Sequence, residues 1–154
     1  MALKQVRPAM IATLALGLTL VVSGCSLFGQ PRDDAGVLTA EVSIHINNTR
    51  VGDCLVDFQE TADEVSDVKA VPCTVPHDAE VFGRTENVLA SADYWAQHYC
   101  LQEFTSYVGI EWDDSILRVS YLSPKVGDSD KVLVCVTYEK GVTDSTTSLK
   151  GAAR

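Results

Sequence analysis

Five cysteines punctuate this chain of 154 residues, at Cys25, Cys54, Cys73, Cys100 and Cys135. An odd count leaves one of them without an intramolecular mate, so the fate of Cys25, which closes an apolar run far from the others, decides how the rest can fold. Where thiols oxidise, the remaining four form two bridges. Three pairings are open, and sequence alone does not choose among them. The preferred pairing is Cys54–Cys73 with Cys100–Cys135, because the first would tack neighbouring strands and the second would pin the main helix to the last strand. Loop closure gives about 3 to 4 kcal/mol for each. Zinc is the competing use of these residues, since Cys73-x3-His77 and His98-x-Cys100 have spacings that suit it. No C-x-x-C pair occurs, however, and outside a membrane the thiols would oxidise first, so neither a metal nor a cofactor is expected.

The compartment follows from the amino terminus. Lys4 and Arg7 precede a run from Pro8 to Val22 that is apolar apart from two threonines and a glycine, and the small residues Ser23 and Gly24 follow. Charged, apolar, then small is the order of a secretory signal. A spanning helix needs about 20 apolar residues, and this run is shorter and ends on small residues rather than on a second charged anchor. Val22-Ser23-Gly24-Cys25 resembles the bacterial lipoprotein box, in which the cysteine receives a diacylglyceryl group and becomes the first residue of the mature chain. Two acyl chains, at about 0.8 kcal/mol per buried methylene, hold a protein on a bilayer where one would not. The expected location is the extracytoplasmic face of the cell membrane, reached through this anchor. The whole chain carries 12 basic and 21 acidic residues, a net charge of -9. Removing Lys4 and Arg7 with the leader brings it to -11, a charge that repels phosphate backbones, so no nucleic-acid partner is expected.

Residues 1–24 are therefore read as a signal peptide and 25–37 as the lipidated cysteine with a tether, SLFGQPRDDAG, that offers little to a core. Residues 143–154, TDSTTSLKGAAR, read as a flexible tail. Between them, 38–142 is long enough for one domain and too short for several. Val37 to Ile46 alternates apolar and polar residues as a half-buried strand does. Val51 to Val56 reads as a turn feeding a short strand, others follow at Val65 to Val71 and Glu80 to Arg84, and two more at Ile116 to Leu122 and Val132 to Tyr138. Ser91 to Val108 has helical spacing, placing Ala92, Ala96, Cys100, Phe104 and Tyr107 on one face, with Ser91 as N-cap and Gly109 as stop. Strands, helix, strands make an α+β fold, a small antiparallel sheet packed by one main helix and stapled by two disulfides.

VGDCL at Val51 to Leu55, VPCTVPHDAEVFG at Val71 to Gly83, a helix containing Cys100 and a final strand VLVCVTY containing Cys135 together resemble the septum-formation domain family. That family occurs in membrane-attached envelope proteins of high-GC Gram-positive bacteria, and the similarity spans roughly Thr49 to Tyr138. The approach to the last strand departs from the family pattern, with Lys125 to Asp130 where members often carry tryptophan and glycine. The resemblance implies a place in division or septal wall growth, and an envelope or division protein as partner; it supplies no reaction.

The densest ionisable cluster is Pro76-His77-Asp78-Ala79-Glu80. A histidine beside carboxylates can move protons, so a small envelope hydrolase using His77 with Asp53 or Glu80 is the alternative reading. The plainer expectation is that His77 hydrogen-bonds a neighbouring loop and that Asp53 closes its own turn. No nucleophile elbow, zinc-protease motif or phosphate-binding glycine loop is present, which leaves no catalytic residue assigned and favours a binding or scaffolding module. Its binding face would combine His77, Asp78 and Glu80 with Tyr94, Trp95 and Tyr99 of the helix, since aromatic side chains dominate interface energetics.

Overall fold

A computed structural model of the chain describes residues 29–60, 65–86, 94, 96–123 and 132–154. Residues 1–28, Cys25 among them, Trp95 and the segment Lys125 to Asp130 lie outside the described residues. Six strands form one antiparallel sheet: β1 (Val42–His45), β2 (Cys54–Val56), β3 (Asp67–Val71), β4 (Ala79–Glu86), β5 (Arg118–Leu122) and β6 (Val132–Tyr138). Their order across the sheet is β1-β3-β2-β4-β6-β5. One helix, α1 (Leu101–Val108), is led in by a π-helical turn over Ala96–Cys100. The α+β architecture expected from the pattern is the one observed.

β6 owes its central place to its sequence. VLVCVTY has no residue that must face water, and all seven of its residues are buried. Val132, Val134, Val136 and Tyr138 point into one core with Ile44, Leu55, Val81 and Leu122, which Leu38, Ile46 and Phe58 close from the connecting segments. Leu133 and Cys135 point to the opposite face, where Phe82, Cys100, Phe104, Tyr107, Val108, Leu117 and Leu149 form the second core. The period of two thus serves both faces of the strand at once.

Of the stripe foreseen for the helix, Cys100, Phe104 and Tyr107 are buried inward, joined by Val108, while Ser91 and Ala92 lie outside the described residues. Gly109 stops it at φ 88°, a left-handed conformation that L side chains resist, and its N–H closes on the Thr105 carbonyl. Close approach to the sheet depends on Gly83, where a Cβ would lie 3.3 Å from both Cβ and Sγ of Cys135. The β4–β6 register slips between Val81 and Gly83, a bulge that carries Phe82. The disulfides are Cys54–Cys73 and Cys100–Cys135, with Cα separations of 5.2 and 5.5 Å. The first ties β2 to the segment that follows β3; the second ties the helical segment to β6.

Two boundaries differ from expectation. Residues 143–154 do not fray: Leu149 is buried in the second core, Ser145 pairs with His77 as an isolated bridge, and the amides of Gly151 and Ala153 donate to the Tyr107 and Val108 carbonyls. The Ser115 hydroxyl also donates to the Arg154 carbonyl, and Arg154 pairs with Glu139. The described part of the tether, from Gly29, is likewise folded onto the domain, with Arg32 bridged to Leu38. Composition hid both, because a single leucine and a single arginine among small polar residues do not form a periodic pattern.

Candidate functional site

The ionisable residues singled out in the sequence are among the most deeply buried polar groups of the domain: Glu80 is 0%, His77 1% and Asp53 3% exposed. The two carboxylates are held by partners distant in sequence. Asp53 receives a two-pronged ion pair from Arg32, at 2.6 and 2.7 Å, and its Oδ2 also accepts the Arg50 amide at 2.8 Å, which closes its own turn. Arg32 gives two further donors to the Gln30 side chain and the Gly36 carbonyl. A charge pair this buried requires such saturation, since a lone ion there would be strongly destabilising.

Glu80 lies on the helix side of β4 and accepts three hydrogen bonds: the Tyr107 hydroxyl at 2.5 Å, the Ser148 hydroxyl at 2.6 Å and the Leu149 amide at 2.5 Å. Burial, and then the adjoining Glu80 carboxylate, push the Tyr107 phenol far above its ordinary value. A neutral phenol donating to a carboxylate is the arrangement this low-dielectric pocket favours. Glu80 therefore stitches helix, sheet and carboxy-terminal segment together.

His77 takes a third position. Its Nδ1 lies 2.8 Å from the Val75 carbonyl, which can only accept, so the proton resides on Nδ1. Its Nε2 is buried and has no hydrogen-bond partner among the described residues. The neighbouring Asp78 accepts the Phe58 amide at 3.1 Å. Neither Asp53 nor Glu80 is a hydrogen-bond partner of His77, so the dyad of the hydrolase reading is not assembled. The zinc spacings dissolve in the same way. Cys54, Cys73 and Glu80 bring ligand-type atoms within 4.8 Å of one another, but both sulfurs belong to a disulfide and are not thiolates.

The aromatic half of the expected binding face divides. Tyr94 is 54% exposed and stacks on His98, ring centroids 4.3 Å apart. Tyr99 is half-buried against the second core and donates to the Arg84 carbonyl. Trp95 lies outside the described residues. The structure thus does not gather His77, Asp78 and Glu80 into a surface with the tyrosines. Trp112 and Ile116, which follow the helix, are exposed as well.

Sequence reasoning missed Arg32, Tyr107, Ser148 and Leu149 as partners of the buried carboxylates. One signal was present: Tyr107 falls on the buried helix face, and a buried phenol needs an acceptor. The sequence also gave no hint of a polar groove of about 710 Å3 lined by Gln30, Arg32, Asp33, Asn48, Arg50 and Arg84, among others. Comparison with known proteins returns no matching family model, no similar curated protein and no similar solved structure.

Proposed function

We propose that this chain is a lipid-anchored binding or scaffolding module on the extracytoplasmic face of the cell membrane, linked to septum formation or wall growth and partnered by an envelope or division protein. The observation that carries the reading is that both carboxylates a hydrolase would pair with His77 are consumed as internal ties, Asp53 by Arg32 and Glu80 by Tyr107 and the carboxy-terminal segment, while His77 is buried and bonded to neither. Groups spent in this way hold a shape and do not cycle protons. Two disulfides suit an oxidising compartment. The Arg32–Asp53 pair adds a reason for the tether to be short, because it docks the chain seven residues after the cysteine that would carry the lipid. The exposed ring of Tyr94, stacked on His98, is where a protein partner would meet the domain.

Protein extracted from its native cells tests both halves of the reading. Intact mass should show cleavage before Cys25, an added diacylglycerol and four oxidised thiols; an unprocessed leader would overturn the anchor. A fluorescent fusion should concentrate at the division site, and Tyr94→Ala should reduce its crosslinked partner while leaving the melting temperature within a degree or so. Turnover of wall material by the purified chain, abolished in His77→Ala, would instead revive the hydrolase.

A further inference from the structure

We infer that Val37, Val51 and Val75 form an aliphatic face that rests in the interfacial layer of the bilayer entered by Cys25, and so fixes which way the domain points; the inference deepens the lipid-anchor reading and rests on it. The register brings the three together. Val42, Ala70, Leu55, Ala79, Tyr138 and Arg118 stand opposite one another in a single row across the six strands. β1, β2, β4 and β5 begin at or beside that row, and β3 and β6 end there, so the segments entering β1 and β2 and the connection from β3 to β4 project from one end of the sheet. Val37, Val51 and Val75 occupy those segments, at 52%, 50% and 40% exposed. The segments are also in contact: the Arg50 guanidinium lies against Gly36, and the Gly52 carbonyl is 3.4 Å from the Cys73 sulfur. Every exposed valine, leucine or isoleucine among the described residues is at this end. The fourth, Ile116, leads into β5, two strands beyond β4 and close behind Asp113 and Asp114 in sequence, which places the contact at the valines.

The path of the chain makes the bilayer the occupant. The Pro31 carbonyl accepts the Thr39 amide and Arg32 bridges Leu38, so the chain from the anchor arrives beside the approach to β1. Cys25 is four residues before Gly29. At no more than about 3.6 Å per residue, its acyl chains enter the membrane within about 14 Å of the described chain. The Arg32–Asp53 pair holds that arrival point against the domain. A tethered domain meets the surface at high effective concentration, where weak apolar contacts suffice. Charge does not choose the lipid, because exposed Arg50 is offset by exposed Asp33 and Asp34 in the neighbouring segment. About half of each valine is still in water, so removing it from water favours the docked over the free domain about fourfold per residue.

The test uses the full acylated chain, one copy per nanodisc, with a nitroxide on a lipid headgroup and amide broadening read by NMR. The amides of Val37, Val51 and Val75 should broaden strongly, and those of His45 and Val56, at the opposite end of the sheet, should not. Each of Val37→Ser, Val51→Ser and Val75→Ser should lower the docked-to-free ratio about fourfold with the melt unchanged, and the triple variant should broaden both ends alike. Discs of phosphatidylcholine and of phosphatidylglycerol should give the same pattern. Equal broadening of both ends in the parent, or a contrast that survives the triple variant, overturns the proposal. So does a contrast seen only in phosphatidylglycerol, which would assign the docking to charge, or only with two chains per disc, which would assign the face to a second copy. The mass of Cys25 in protein from native cells keeps the two claims apart. A diacylated cysteine with evenly broadened ends refutes the docking alone, whereas an unacylated one refutes the anchor and the docking with it.

Discussion

Glu80 shows how a single side chain can act as structure where its type and neighbours suggest chemistry. A carboxylate with no exposed surface and no cation partner is tolerated because three donors converge on it, each charge-assisted. Tyr107→Phe removes one donor and should lower stability by about 1 to 2 kcal/mol at neutral pH. The deficit should depend on pH with a definite sign. The folded phenol is held above its ordinary value of 10, so the unfolded chain releases that proton first as pH rises. The stabilisation is complete below pH 10 and is lost above it. Urea unfolding at pH 7 and above pH 10 should therefore show the gap between the parent and the variant narrowing; a constant gap would refute the account. Asp53→Asn leaves the Arg32 guanidinium buried with a weakened partner, and a loss of about 3 kcal/mol is expected, read from the same urea curves.

At the level of elements, most of the fold was legible in the sequence. VLVCVTY reads as a strand because it is β-branched and apolar throughout, and it occupies the middle of the sheet for the same reason. The helix was visible in the spacing of Cys100, Phe104 and Tyr107, which form one inward stripe. Val37 to Ile46 was only partly right: strand pairing begins at Val42, and Ile46 turns into a short 3-10 segment that still buries its side chain. Alternation records which side chains are buried, not which backbones are paired. Gly83 was opaque, because a glycine needed for a neighbour's closeness looks like any other. Its Cβ would press on Cys135, so Gly83→Ala should destabilise by about 1 to 3 kcal/mol, and Gly83→Val by more. Replacing Cys100 and Cys135 together by alanine removes the sulfur from that contact. Thermal melts should then show Gly83→Ala costing less in this background than in the disulfide-bonded chain.

Across the whole molecule, the two ends of the described chain meet the sheet through the same device, a buried carboxylate that reaches a segment with almost no apolar residues of its own. Asp53 holds the segment from Gly29, and Glu80 holds the segment ending at Arg154. These ties span 21 and 69 positions in sequence, which is why neither end could be placed from local pattern: nothing near Ser148 announces a carboxylate that far back. The carboxy-terminal segment also covers the second core, through Leu149 over the helix. Removing residues 143–154 therefore does two things at once. It strips Glu80 of two of its three donors, and it opens the apolar surface beneath Leu149. A buried carboxylate deprived of partners loses about 1 to 3 kcal/mol, more for a charged group, and a buried leucine contributes about 2 kcal/mol. The truncated chain should be less stable by about 4 kcal/mol in urea. Adding Glu80→Gln to it should restore part of the loss, because a neutral amide is less penalised for lacking donors than a carboxylate. In the full-length chain the same substitution should destabilise, since Tyr107, Ser148 and the Leu149 amide all present hydrogens to this position. If Glu80→Gln had the same sign in both chains, the carboxylate would not be what holds the end in place.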